Sequence, residues 1–173
     1  MTNTKLIAMA GLPGSGKSTI ADLLSRQFPA MLLSIDPIEA VLRRSGWQQE
    51  RIGSAGHLVA EALAIETLKR GQTVIIDAVN PVQAARDMWV KLAQDVSVPL
   101  TFLEVVCSET VVHRQRIESR VRGIEGLTEV SWERVLKRQQ EYQPWSNPRR
   151  VLDTSKTSAE ALVESVLPDL RRS

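Results

Sequence analysis

The run Gly11-Leu12-Pro13-Gly14-Ser15-Gly16-Lys17-Ser18 has the spacing G-x-x-x-x-G-K-[ST], a pattern suited to holding phosphates. Its three glycines let the backbone curl until successive N–H groups point inward at an anion. An apolar stretch of strand length, Lys5 to Ala10, precedes the loop; Thr19 to Gln27 follow it, with Ile20, Leu23 and Leu24 at helical spacing. A helix starting there turns its free N–H groups and positive dipole end toward the same anion. In this pattern Lys17 reaches the β- and γ-phosphates, and the Ser18 hydroxyl takes Mg²⁺. Gly11, Leu12, Pro13, Gly14, Ser15, Gly16, Lys17, Ser18 and Thr19 are the expected contacts of a nucleoside triphosphate. An ordinary glycine-rich turn between strand and helix is the competing reading.

Three aspartates fall at the carboxyl ends of expected strands, where ligands of open parallel sheets sit: Asp36, Asp77 and Asp153. Phosphoryl transfer needs carboxylates there, one to hold Mg²⁺ and one to orient the attacking hydroxyl or accept its proton. Asp36 has a structural alternative as a helix N-cap, because Pro37 suits the first helical position and Glu39 completes a capping box. Asp77 ends an apolar strand, where an unpaired carboxylate is costly without a cation or donors. Asp36 and Asp77 therefore join Ser18 as metal candidates. Asp153, followed by Thr154 and Ser155, reads as a local side-chain-capped turn.

Positive charge gathers between residues 111 and 122. Arg114 and Arg122 each lie four residues from Glu118 and read as helix-surface pairs. Arg116 and Arg120 lie four apart with no acid at helical spacing, an arrangement that an anion between them would stabilise. Arginines on such a segment neutralise charge on a transferring phosphoryl group, and Gly123 and Gly126 give it hinges for closing. His113 reads as packed or exposed. The tryptophans at 47, 89, 132 and 145 read as packing residues.

The elements that must position these groups alternate. Strands are expected at Met31–Ile35, Thr73–Asp77, Leu100–Val106 and Arg150–Asp153. Helices are expected from Asp36 to about Arg44, Ala55 to Arg70 (with Leu58, Ala62, Leu63 and Ile65 near one face) and Asn80 to about Gln94. Others run from Ser108 to about Arg120, Thr128 to about Tyr142, and onward from Ser158. Such alternation specifies an α/β fold, a five-stranded parallel sheet with helices on both faces and a small helical lid. The length, 173 residues, suits one domain, 1–173, with the lid at about 114–130. Basic and acidic residues nearly balance at 22 and 20, far from the excess of a chain built to grip a duplex. The single Cys107 excludes an intrachain disulfide and, with no secretory or spanning segment in view, a cytoplasmic protein without membrane contact is expected.

Ala10 to Thr19, Ser34-Ile35-Asp36, Val74 to Asn80 and the Arg116-x-x-x-Arg120 spacing resemble, in that order, the small P-loop kinases with a nucleoside-monophosphate-kinase-like fold. The likeness is to the group holding polynucleotide 5′-hydroxyl kinases, chloramphenicol phosphotransferase and zeta-type toxin kinases, and it runs through nearly the whole chain. It implies a three-layer P-loop NTPase fold and an ATP-dependent phosphotransferase using ATP and Mg²⁺. It implies Asp36 as general base, Arg116 and Arg120 as lid arginines, and Asp77 in the metal or substrate network; Lys17, Asp36, Arg116 and Arg120 are the expected catalytic set. Polynucleotide kinases carry an arginine shortly after the base aspartate, whereas the third position on is Glu39 here, with Arg43 and Arg44 further along. The expected partner is a hydroxyl-bearing small molecule, the protein being monomeric or homodimeric. A nucleic-acid 5′-hydroxyl end and a nucleotide-switch regulatory NTPase are the alternatives.

Overall fold

The computed structural model of the chain describes residues 4–27, 29–121, 123–125 and 129–172. The elements run β1 (Leu6–Ala10), α1 (Lys17–Gln27), β2 (Ala30–Ser34), α2 (Ile35–Arg44), α3 (Gln49–Lys69) and β3 (Thr73–Asp77). They continue with α4 (Gln83–Asp95), β4 (Leu100–Val106), α5 (Thr110–Glu118), α6 (Trp132–Glu141), β5 (Arg150–Asp153) and α7 (Ala159–Arg172). The five strands form one parallel sheet in the order β2-β3-β1-β4-β5. The chain leaves β1 toward one edge and later crosses to the other, so the switch point lies between β1 and β3 at their carboxyl ends.

Both faces of the sheet are covered, which is why the central strand β1 is apolar at every position. Ile7 and Met9 of β1 point into a core with α1 and α7, through residues such as Ile20, Leu24, Val163 and Leu170. Leu6 and Ala8 point the other way, onto α3 and α4 through Ala60, Ala64, Trp89 and Leu92. No helix among the described residues is long and apolar enough to cross a membrane.

Three helices differ from expectation for tertiary reasons. Ile35 opens α2 instead of ending β2, with Ser34 as N-cap, so Asp36 is the second helical residue and not a cap. The long helix α3 starts at Gln49, and its buried stripe is Ile52, Gly56, Ala60, Ala64, Thr67 and Leu68; Leu58 and Leu63 are 60% and 43% exposed. Glycine within a helix costs about 1 kcal/mol relative to alanine. The reason for Gly56 lies across the interface, where a Cβ would stand 3.1 Å from Glu39 Cγ and 3.4 Å from Ile35 Cγ2. The third helix, α4, begins at Gln83 after Val82, leaving Asn80 outside it. Thr128, expected at a helix start, lies outside the described residues together with Arg122 and Gly126; α6 is capped by Ser131, whose Oγ accepts from Arg134 N.

Asn80 is fully buried with φ of 45°, a left-handed conformation that asparagine tolerates. Its Nδ2 donates to Met9 O at 2.7 Å, its Oδ1 accepts from Trp89 Nε1 at 3.0 Å, and its carbonyl accepts from Arg86 Nε at 3.0 Å. Arg86 is also fully buried and donates to the carbonyls of Pro81, Gln143 and Pro144 at 3.1, 3.0 and 2.9 Å. Its guanidinium stacks 3.9 Å over Trp145, which in turn donates to Glu104. This clamp ties the segment after α6 to the turn after β3.

Replacing Arg86 by methionine keeps most of the volume and removes every donor. Leaving two to four carbonyls short, at roughly 1 kcal/mol each, predicts a loss of about 2–4 kcal/mol in urea unfolding. A loss under about 0.5 kcal/mol, the level of an ordinary surface change, would show that the clamp contributes nothing.

Candidate active site

The loop after β1 curls through three left-handed glycines, Gly11, Gly14 and Gly16, with φ of 132°, 77° and 98°. At Gly11 only glycine fits, because a Cβ would stand 2.0 Å from the carbonyl oxygen of Val105. Gly11 N donates to Val79 O at 3.1 Å, fixing the loop's entry against the turn that Asn80 holds. Lys17 opens α1 and is buried, its Nζ reaching back to Leu12 O at 3.0 Å. Ser18 and Thr19 are exposed on the first turn of α1.

The loop is braced from two further elements that the sequence reading did not assign to it. His113 of α5 is buried, and its Nε2 donates to Pro13 O across 2.7 Å. The ring packs edge-on against Trp132 of α6 at 5.3 Å, and Ile117 closes over Gly14. Burial pushes the His113 pKa down; the Pro13 contact opposes this, and Lys17 and Arg116 add to it. On the other side, the Thr154 hydroxyl donates to Ser15 O at 2.7 Å. Thr154 also receives Arg116: Nη1 donates to its Oγ1 at 2.7 Å and Nη2 to its carbonyl at 2.9 Å. Arg116 is thus seated beside the phosphate loop. Arg120 lies beyond the end of α5, which stops at Glu118, so the two arginines do not share one helical stripe as their spacing implied.

A cleft of about 790 Å³ opens at the carboxyl ends of β1 and β3. From the expected set it is lined by Pro13, Gly14, Gly16, Lys17, Ser18 and Thr19 on the loop side. Asp36, Asp77, Arg116 and Arg120 complete that set, whereas Gly11, Leu12 and Ser15 support the loop from behind. Asp77 is buried and accepts from Ser34 Oγ at 3.2 Å, its register partner on β2. Asp36 shares the α2 side of the cleft with Glu39, whose carboxyl pKa is raised by burial and then by Asp36, against the pull of Arg43, His57 and Arg138.

Asp153 lies outside the cleft. Its Oδ1 accepts from Ser108 N and from Ser155 N and Oγ. Desolvation pushes its pKa up, but the bonds from Ser108 and Ser155 outweigh it and hold the carboxyl well below the usual carboxylate range. It therefore closes a turn, as its neighbours suggested. Of the tryptophans, Trp89 is core, Trp145 belongs to the Arg86 clamp, Trp132 backs His113, and Trp47 is exposed. Arg114 pairs with Glu118 at 2.7 Å, as expected.

Arg134 and Arg138 of α6 also line the cleft. The sequence reading missed them, although they repeat the four-residue arginine spacing that singled out Arg116 and Arg120.

The His113 geometry carries a pH dependence. Its folded-state pKa lies below the ordinary value of about 6.5, so the unfolded chain binds a proton that the folded one refuses. The stability this group contributes is full above about pH 6.5 and is lost as pH falls below it. Thermal unfolding between pH 7 and 5 is expected to show a steeper loss for the wild type than for His113→Gln; parallel curves would overturn the assignment.

Comparison with known proteins agrees with this geometry. The AAA domain family matches residues 6–145. The probable adenylyl-sulfate kinase of Aeropyrum pernix is 28% identical over 171 residues, covering 90% of this chain and 86% of that protein. The bifunctional polynucleotide phosphatase/kinase of Schizosaccharomyces pombe is 25% identical over 116 residues, 65% of this chain; the match spans only 24% of that protein. In fold, the APS kinase of Mycobacterium tuberculosis, solved in complex with AMPPNP and APS, superposes with a TM-score of 0.70 at 20% identity over 99% of both chains. Phosphate loop, switch-point cleft and family match coincide, and the chain belongs to the AAA domain family as a small P-loop kinase-like protein.

Proposed function

We propose that the protein transfers the γ-phosphoryl group of ATP to a hydroxyl of a small molecule, with residues 1–173 acting as one domain and residues 114–130 as its lid. One observation carries the reading: a single cleft is lined by Lys17 and Ser18 of the phosphate loop, Asp36 in the first turn of α2, Asp77 at the end of β3, and Arg116 and Arg120. Lys17 and the loop N–H groups hold the triphosphate. Asp36 orients the acceptor hydroxyl and takes its proton. Arg116, braced on Thr154, and Arg120 balance charge on the transferring group.

The donor set fits Mg²⁺ arriving with the nucleotide. Ser18, Asp36 and Asp77 offer hard oxygen ligands at the cleft. Among the described residues no cluster of three or more acidic, histidine or cysteine side chains could hold a metal by itself. Magnesium usually keeps several waters and takes one or two carboxylates plus substrate phosphates, which neutralise and orient the triphosphate. These residues supply that number.

A 5′-hydroxyl end of nucleic acid is the second acceptor class, favoured by the arginines of the cleft and by the likeness to the Schizosaccharomyces pombe protein. Incubation with γ-labelled ATP and Mg²⁺, against pooled nucleosides, sugars, antibiotics and a 5′-hydroxyl oligonucleotide, separates the classes. Label is expected in a small-molecule pool and absent with Lys17→Ala. With that acceptor, Asp36→Asn should lower transfer by at least about 100-fold, the lower bound for losing a general base, with nucleotide affinity within about twofold. Equal release of free phosphate in every pool would sink the transferase reading, and an active Asp36→Asn enzyme would sink the base assignment.

A further inference from the structure

The cleft holds more positive charge than a triphosphate accounts for. Six lysine and arginine side chains line it against three carboxylates. Lys17 belongs to the phosphate loop, and Arg116 is seated on Thr154 beside it. Arg43, one turn along α2, pairs with Glu39 at 3.5 Å. Arg120 follows α5 and is assigned, with Arg116, to the transferring group. That leaves Arg134 and Arg138, one turn apart on α6. Neither guanidinium has a carboxylate within ion-pair distance among the described residues. Two like charges at this spacing disfavour an isolated helix by a few tenths of a kcal/mol, and an anion between them reverses the sign.

The field of Arg138 acts on Glu39, one turn from Asp36, so this guanidinium belongs to the Asp36 side of the cleft. The wall there is built to receive something polar. Glu39 lies over Gly56, where a side chain would displace it. His57, one residue on, lines the cleft and donates from Nδ1 to Gly53 O at 2.8 Å. Its Nε2 is buried and without a hydrogen-bond partner among the described residues. A buried polar nitrogen in that state needs a partner, and a hydroxyl can serve as donor or acceptor to it.

We infer that the acceptor is a hydroxyl-bearing anion, whose phosphate, sulfate or carboxylate group is held by Arg138 and Arg134 while its hydroxyl side faces Asp36 and His57. The inference rests on the kinase reading and narrows its substrate class. Planar guanidiniums suit each of these groups by paired N–H donation. Neutral sugars and uncharged alcohols would leave both arginines unanswered, so such molecules are poor acceptors.

The test uses the full chain saturated with AMPPNP and Mg²⁺, which fills the phosphate loop. Sodium sulfate and sodium acetate are then titrated by calorimetry at ionic strength held constant with chloride. Saturable binding of at least one is expected; sulfate would indicate a phosphate or sulfate ester, and acetate a carboxylate. The apparent Kd should rise at least tenfold in Arg138→Gln and rise also in Arg134→Gln. It should recover in part in Arg138→Lys and stay unchanged in Lys137→Gln, an exposed charge outside the cleft. Absence of saturable binding by either anion, or wild-type affinity in both glutamine variants, overturns the inference. Binding of AMPPNP is read in the same experiment, so a failure of the nucleotide site is distinguished from a failure of the anion site.

Discussion

The geometry of the nucleotide loop depends on one buried side chain. Asn80 occupies a left-handed backbone position and its amide joins two elements, donating to Met9 O near the end of β1 and accepting from the indole of Trp89 on α4. Next to it, Val79 O takes the amide of Gly11. A loop of glycines has no preferred shape of its own, since glycine loses more backbone entropy on ordering than any other residue. The shape is imposed from the β3–α4 turn, and that turn is in turn held by the carbonyls gathered around Arg86. The rigid sheet thus positions a flexible sequence.

Charge is the second organising constraint. Carboxylates from β3 and α2 and guanidiniums from three other segments converge on one partly buried volume. Isolated charges in such a place are costly, and the protein manages each differently. Asp77 receives a hydroxyl, Arg116 is anchored by a threonine, Glu39 shares Arg43, and His113 is kept neutral by its surroundings. The result is a site whose electrostatics are set before any ligand enters, which is the condition under which charge stabilisation costs no reorganisation.

Much of this was legible in the sequence, and the parts that were not share a cause. Thr73–Asp77 fell where its continuous apolar run placed it, because a strand covered on both faces needs no alternation, and Leu100–Val106 took its expected bounds. The phosphate loop announced itself by local spacing alone. Asn80 did not: Asn-Pro is a strong local capping signal, and it was overridden by a carbonyl 71 residues away. The phase of α3 was misjudged because the reason for Gly56 sits on α2, in the side chain of Glu39. Arg134 and Arg138 look like solvent-facing charges until α6 is folded against the cleft.

Thr154 joins residues far apart in the order of synthesis. Its hydroxyl meets Ser15 across 139 positions, and Lys5, at the entrance to β1, donates to the carbonyl of Leu170. An early segment of this sequence is therefore completed by a late one. A nascent chain that has finished every motif visible in its sequence still lacks the edge strand that seats Arg116 and the helix that covers Ile20 and Leu24. The bracing of the phosphate loop is thus a property of the closed molecule. Contacts of such long range also slow folding, because the loop entropy must be surrendered before they form.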